Sequence, residues 1–151
     1  MDELVQKSRL GKATVYRLYR TKDALIGAYL SRLAGDIASA IAARTADHRG
    51  DPRGTLLAIA HDMADDLRRP DFRGCAFNNA SIDFDDPDYL ARVRARDYRT
   101  CLLTTFTKLA EELTPRGGAA LGAQLAVLPV VAGDLAGEVE EGKRPPGRSQ
   151  R

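Results

Sequence analysis

Six basic side chains, Lys7, Arg9, Lys12, Arg17, Arg20 and Lys22, fall within the first 22 residues, where only Asp2 and Glu3 oppose them. The 151-residue chain as a whole carries a net charge of only +2, so this excess is local and the remainder is close to neutral or slightly acidic. Lysine and arginine donors concentrated in this way suit the neutralisation of phosphate groups. Among them stand Thr14, short enough to reach the edge of a base, and Tyr16, whose hydroxyl can hydrogen-bond a phosphate oxygen. A solvated helix face is the plainer account of the same charges, and only the order of the residues can separate the two.

Other chemistries find little support. Cys75 and Cys101 lie far apart and form no CxxC pair, so neither a zinc site nor a dithiol redox motif is indicated, and reduced buried thiols are expected. His48 and His61 are the only histidines, too few for a histidine metal cluster. No glycine-rich phosphate loop is present, and no cofactor is expected. Cys75 with His61 is the one nucleophile and base pair that can be named; it lacks an activating third group, so no enzymatic activity is expected. Arg73 is the only base near Cys75, which leaves that thiol without a cluster to lower its pKa.

The elements that must position these residues are helices. Charged residues make up 29% of the chain and hydrophobic ones 44%, the composition of an ordinary globular protein with one core. Leu4 and Val5 suit a short helix over Asp2–Arg9, interrupted by Gly11, and Val15, Leu18 and Tyr19 share one side of a second short helix from Lys12 to Tyr19. Thr21 is placed to cap a long helix with Asp23 in its first turn, carrying Leu25, Tyr29, Leu33, Ile37 and Ile41 at four-residue intervals and ending near Thr45. A further stripe, Leu56, Ile59, Ala60, Met63, Ala64 and Leu67, stops before Pro70. Cys75–Phe84 reads as a short helix. Asp86-Pro87-Asp88 supplies a cap, a proline at the first helical position and an acid for a helix reaching Leu113, with Leu90, Val93, Cys101, Leu102, Thr105, Phe106, Leu109 and Leu113 inward. Pro115 and Gly117-Gly118 precede a last helix over about 119–140, kinked at Pro129, and the tail from Gly142 looks disordered. No strand alternation or long-period repeat is present, so the fold class is all-α.

The segment from Gly11 to Leu25, GKATVYRLYRTKDAL, resembles the signature of the TetR family, in which a short recognition helix ending in an aromatic pair is followed at once by a lysine opening a long linker helix. The resemblance implies that Lys12, Ala13 and Thr14 meet base edges, that Tyr16 and Lys22 meet phosphates, and that Tyr19 is the buried aromatic locking the motif to the linker helix. Arg17 has the donors a phosphate requires. Arg9 stands where the family has glycine, and Gly11 where it has a capping serine; exchanging serine for glycine at a cap costs only a few tenths of a kcal/mol. Against the family pattern the chain starts at the first helix of the helix-turn-helix, without the helix that normally packs over it. Either the true start lies upstream or DNA binding is weak.

The stretch Arg73–Ala80, with Asp86-Pro87-Asp88 and the long helix after it, resembles the ligand domains of a TetR-like subgroup. The resemblance implies a helical bundle with an apolar cavity, for which Met63, Leu67, Phe72, Cys75, Phe77, Asn79, Phe84, Tyr98, Leu102 and Phe106 are the candidate lining; each taken singly could equally be plain core. It also implies a homodimer built from two C-terminal helices, here about Thr104–Leu113 and Leu121–Val139. The domains expected are a partial helix-turn-helix over 1–24, a ligand-binding and dimerisation bundle over 25–141, and the tail over 142–151. The function implied is that of a regulator, a repressor in this reading, that holds a palindromic double-stranded DNA operator as a dimer and is released by a small hydrophobic or amphipathic effector. The alternative is a helical ligand-binding or dimerisation protein with weak or no DNA binding. No signal peptide pattern is present, and the longest unbroken apolar run, Leu125–Ala132, falls short of a membrane span. A cytoplasmic address without a membrane partner is expected.

Overall fold

Six α-helices and no strand occur among the residues described by a computed structural model, 12–84 and 86–128, for Lys12 and Val15 without their side chains. They are α1 (Lys12–Leu18), α2 (Lys22–Asp47), α3 (Pro52–Leu67), α4 (Ala76–Asp83), α5 (Leu90–Leu113) and α6 (Gly118–Leu128). The chain is all-α. The expected helix over Asp2–Arg9, the Gly11 break, the Pro129 kink and the tail fall outside the described residues.

Local chemistry starts α2 and α3. Thr21 has an extended backbone, and its Oγ1 accepts a hydrogen bond from the Ala24 N–H at 3.0 Å. Asp51 does the same for the Gly54 N–H at 2.9 Å, and Pro52 opens α3 at a position where its missing N–H costs nothing. α5 begins differently from the expectation. Asp86 accepts from the Asp88 N–H at 2.9 Å and so folds a local turn instead of capping a helix that starts at Pro87. The helix opens three residues later, at Leu90, and its N-cap residue Tyr89 makes no side-chain capping bond.

The core surrounds α5, which packs against α2, α3 and α4. Its buried face runs Ala91, Ala95, Tyr98, Leu102, Phe106 and Leu109, at the spacing of a helix stripe. Leu30 from α2, Ile59 and Thr55 from α3, and Phe77 and Ala80 from α4 complete it. Thr55 is satisfied by donating to the Asp51 carbonyl at 3.1 Å, and among the described residues no buried side-chain polar atom lacks a partner. α6 lies directly on α5: a Cβ on Gly118 would stand 2.6 Å from the Glu111 Cα, and one on Gly122 would overlap the Thr107 backbone.

Several residues expected inside lie at the surface. Cys101 is exposed, as are Leu113 and Ala60, because the inward arc of α5 follows Tyr98, Leu102 and Phe106, and Ile59 rather than Ala60 leads the inward side of α3. Leu18 is 61% exposed; α1 ends there, so Tyr19 is half-buried from outside the helix, and Leu18 is left on the open side. By length and composition α2 could cross a membrane. Its apolarity comes from interspersed Ala, Gly, Leu and Ile, and Leu30 uses it to enter the core at 1% exposure.

Candidate functional site

The cationic end of the molecule is the joint between α1 and α2. Ala13, Tyr16, Arg17, Arg20 and Lys22 are exposed, and Thr14 is half-buried. Lys12 is the first residue of α1, and its side chain lies outside the description. α1 has only seven residues and carries no acid in its first turn. Thr21 lets the chain leave this helix and enter α2 within three residues, which puts Lys22 at the α2 N-terminus. Arg17, Arg20 and Lys22 join no ion pair among the described residues. In the bundle, by contrast, Arg32, Arg44, Arg68, Arg69 and Arg94 each face an aspartate.

What holds this joint to the bundle comes from far along the chain. Asp23, in the first turn of α2, accepts hydrogen bonds from the Leu90 and Ala91 N–H groups, both at 3.3 Å. Its carboxylate therefore supplies the N-terminal acceptor that α5 lacks, where the helix dipole also favours negative charge. One turn further on, Gly27 is buried, and a Cβ there would lie 2.5 Å from Cδ2 and 2.6 Å from Cγ of Leu90. The Leu90 side chain thus sits in a notch that only glycine leaves open.

The far end of α2 is fastened to α3. Arg44 donates from Nε and Nη2 to the two oxygens of Asp62, each at 2.8 Å. The hydrogen bonds and charge of Arg44 hold the Asp62 carboxyl below its ordinary value, and Asp62 raises Arg44 in turn. Asp23 and Arg44 are separated by about 32 Å of helix at 1.5 Å per residue, so α2 is a rod tied to the bundle near both ends.

Of the ten residues expected to line a ligand cavity, seven gather in or against one apolar core, Phe77, Tyr98, Leu102 and Phe106 within it and Met63, Cys75 and Phe84 against it. Phe77 and Tyr98 stack with ring centroids 3.7 Å apart and planes 11° from parallel, and Phe106 is closed into the same core. Met63, Cys75 and Phe84 are half-buried against that core. Phe84 also stacks on Tyr89 at 5.0 Å. Leu67 and Phe72 are half-buried, and Asn79 is exposed, its Nδ2 donating to the Arg73 carbonyl at 3.1 Å. Tyr98 and Leu102 do line open space, a groove of about 500 Å³ between α2 and α5 whose other apolar walls include Leu30, Ala34, Ile37 and Ile41. A second hollow of about 490 Å³ lies where α2 turns into α3, beside His48, Pro52 and Leu109.

No family model and no curated protein sequence matches the chain. Among solved structures, a TetR-family transcriptional regulator from Streptomyces coelicolor is similar over 91% of this chain and 77% of that one, with a TM-score of 0.80 and 30% identity. The chain belongs to the TetR family of transcriptional regulators. A chain described as a TetR transcriptional regulator from Streptomyces avermitilis is similar over 92% of this chain and 75% of its own, with a TM-score of 0.76 and 25% identity.

For a TetR-family regulator the functional geometry absent from the sequence reading is the fastening of α2. Asp23 reads locally as an ordinary first-turn acid of its own helix, and nothing near it signals that its acceptors serve α5. Gly27 reads as a weak point in a helix, and its role is visible only opposite Leu90. Arg44 and Asp62 are ordinary surface charges until α2 and α3 are set side by side.

Proposed function

We propose that this TetR-family chain is a repressor that binds a palindromic operator as a homodimer, with α1 in the major groove, and lets go when a small apolar or amphipathic effector binds its helical bundle. The observation that carries this reading is the clustering of exposed cations, with no acid among them, at the joint of α1 and α2. Arg17, Arg20 and Lys22 stand exposed beside α1, outside any described ion pair and with no acidic residue anywhere from Lys12 to Lys22, whereas in the bundle five arginines, Arg32, Arg44, Arg68, Arg69 and Arg94, each face an aspartate. Cations kept available at one end are what docking on a phosphate backbone requires.

In this reading Lys12, Ala13 and Thr14 meet base edges, and Tyr16, Arg17 and Lys22 meet phosphates. Residues 1–24 form the DNA-binding segment and 25–141 the effector and dimerisation domain. Leu103 and Leu113 on α5 and Val127 and Leu128 on α6 are exposed apolar side chains that a two-fold partner would cover. Two recognition helices would then sit about 34–36 Å apart, one turn of the duplex. A protein working in this way acts beside the chromosome, in the cytoplasm.

The test is fluorescence anisotropy with a labelled duplex from the region upstream of the protein's own gene, against a scrambled duplex, with sedimentation to establish the dimer. Sequence-preferring binding by a dimer is expected. Equal affinity for both duplexes, or no binding to either, contradicts the reading.

A further inference from the structure

α4 and α5 run antiparallel along one crease. Phe77 stacks on Tyr98 near the start of α4, and at its end Arg92 donates to the Phe84 carbonyl at 3.1 Å. Between these contacts Arg99 reaches across to α4, where its Nη2 donates to Ser81 Oγ at 2.9 Å and to Asn78 Oδ1 at 3.3 Å. Ser81 in turn donates to the Phe77 carbonyl at 3.0 Å, so a neutral frame holds the guanidinium in place. Ile82 lies one turn beyond Asn78 on the same side of α4. It is 69% exposed, more than any other large apolar side chain among the described residues.

The charge on this crease is not balanced. Arg99 is half-buried yet meets no acid among the described residues, and Arg96, one turn before it on α5, is exposed and joins no ion pair there. The nearby Asp97 is committed to Arg94 at 3.4 Å. Like charges one turn apart repel, and a half-buried guanidinium with only neutral partners stays open to an anion. Arg49, in the turn after α2, is also outside any described ion pair, but no described hydrogen bond fixes its side chain, whereas Arg99 is held.

We propose that the α4–α5 crease is a docking surface for an acidic amphipathic helix of another protein, which sets its apolar side on Ile82 and its carboxylates on Arg96 and Arg99. Guanidinium forks take carboxylates in paired N–H···O bonds. Arg96 and Arg99 are about 4.5 Å apart along α5 at 1.5 Å per residue, which matches carboxylates three residues apart on a helix laid beside it. An apolar anchor next to a charged row is what such a helix recognises. A nucleic-acid backbone fits less well, because exposed Asp83, Asp86 and Asp88 flank the crease on the side of Leu90 and would repel phosphates. The proposal does not depend on the repressor reading.

The test is fluorescence anisotropy of a fluorescein-labelled helical peptide, leucines on one side and glutamates on the other, titrated with the full chain. Saturable binding is expected, and the same peptide with glutamine for every glutamate should bind at least about tenfold more weakly. Arg96→Glu should weaken binding about tenfold or more, and Ile82→Ala, at a position the core does not use, about three- to tenfold. Arg49→Glu makes the same change of charge at the turn after α2 and should leave binding unchanged. The proposal is overturned by any of four results: no saturable binding, equal affinity for the two peptides, equal losses in Arg96→Glu and Arg49→Glu, or wild-type affinity in both Arg96→Glu and Ile82→Ala. Loss of self-association in Arg96→Glu would make the crease a subunit contact and overturns it too. So does weaker duplex binding by Arg96→Glu at unchanged peptide affinity, which assigns the arginines to DNA. A chain that binds the peptide in the expected pattern but binds no DNA overturns the repressor reading alone.

Discussion

The carboxylate of Asp23 caps the helix that Leu90 begins, across 67 positions of sequence. The joint that carries Lys22 is thereby anchored to the central helix of the bundle one residue later in the chain. Any movement of α5 relative to α2 must stretch these bonds. Asp23→Ala removes the acceptor and should cost about 1 kcal/mol, as loss of an N-terminal cap does. Asp23→Asn retains one oxygen acceptor and should cost less. Urea unfolding of the two variants checks the order.

Two glycines of α2 make opposite predictions. Gly27→Ala drives a Cβ into Leu90, and overpacking of this kind costs about 1–3 kcal/mol, more than the roughly 1 kcal/mol that alanine contributes by helix propensity. Gly35 has nothing within 4 Å of its Cβ position, so Gly35→Ala should stabilise by up to about 1 kcal/mol. Combining Gly27→Ala with Leu90→Ala should recover part of the first loss. Thermal melts of the four proteins decide this.

Much of this architecture is legible in the sequence where the physics is local. The Thr21 cap, the Asp51-Pro52 start and the stripe from Tyr98 to Leu109 all follow from spacing within one helix. The start of α5 is misread for the complementary reason. Asp86-Pro87-Asp88 has the composition of a cap, but Asp86 is occupied in its own turn, and the acceptor comes from α2. How the candidate ligand residues face one another is hidden from the sequence for a similar reason. Apolarity marks Phe77 and Phe106 as buried, yet whether a buried residue faces a neighbour or a space depends on how helices are rotated against each other, and the groove is made as much by Ala34 and Ala38 as by any large side chain.

Phe77 offers a test of core against cavity. It is 1% exposed and stacked on Tyr98, so Phe77→Ala should cost about 3–5 kcal/mol. Ile82, on the same helix and 69% exposed, should change stability by less than about 0.5 kcal/mol when replaced by alanine. Denaturant midpoints at equal m-value give the comparison.

The Arg44–Asp62 pair sets a pH dependence. The folded carboxyl titrates below its ordinary value of 3.8, chiefly because of its hydrogen bonds from Arg44. Its contribution is therefore complete well above pH 3.8, starts to fall as pH drops past that value, and is gone below the folded pKa. Both side chains are two-fifths exposed, so the effect is small and fades with salt. The stability difference between the wild type and Asp62→Asn should shrink as pH is lowered from 6 to 3.

Salt dependence of DNA binding tests the central claim most directly. Each phosphate neutralised contributes about −0.9 to the slope of log Kobs against log salt. Lys22→Ala should make the slope shallower by about one and weaken all duplexes alike, whereas Thr14→Ala should leave the slope unchanged and narrow the gap between operator and scrambled duplex. A Lys22→Ala protein with the wild-type slope, or a wild type whose affinity for DNA does not change with salt, would contradict the assignment of the α1–α2 joint as the DNA-binding end.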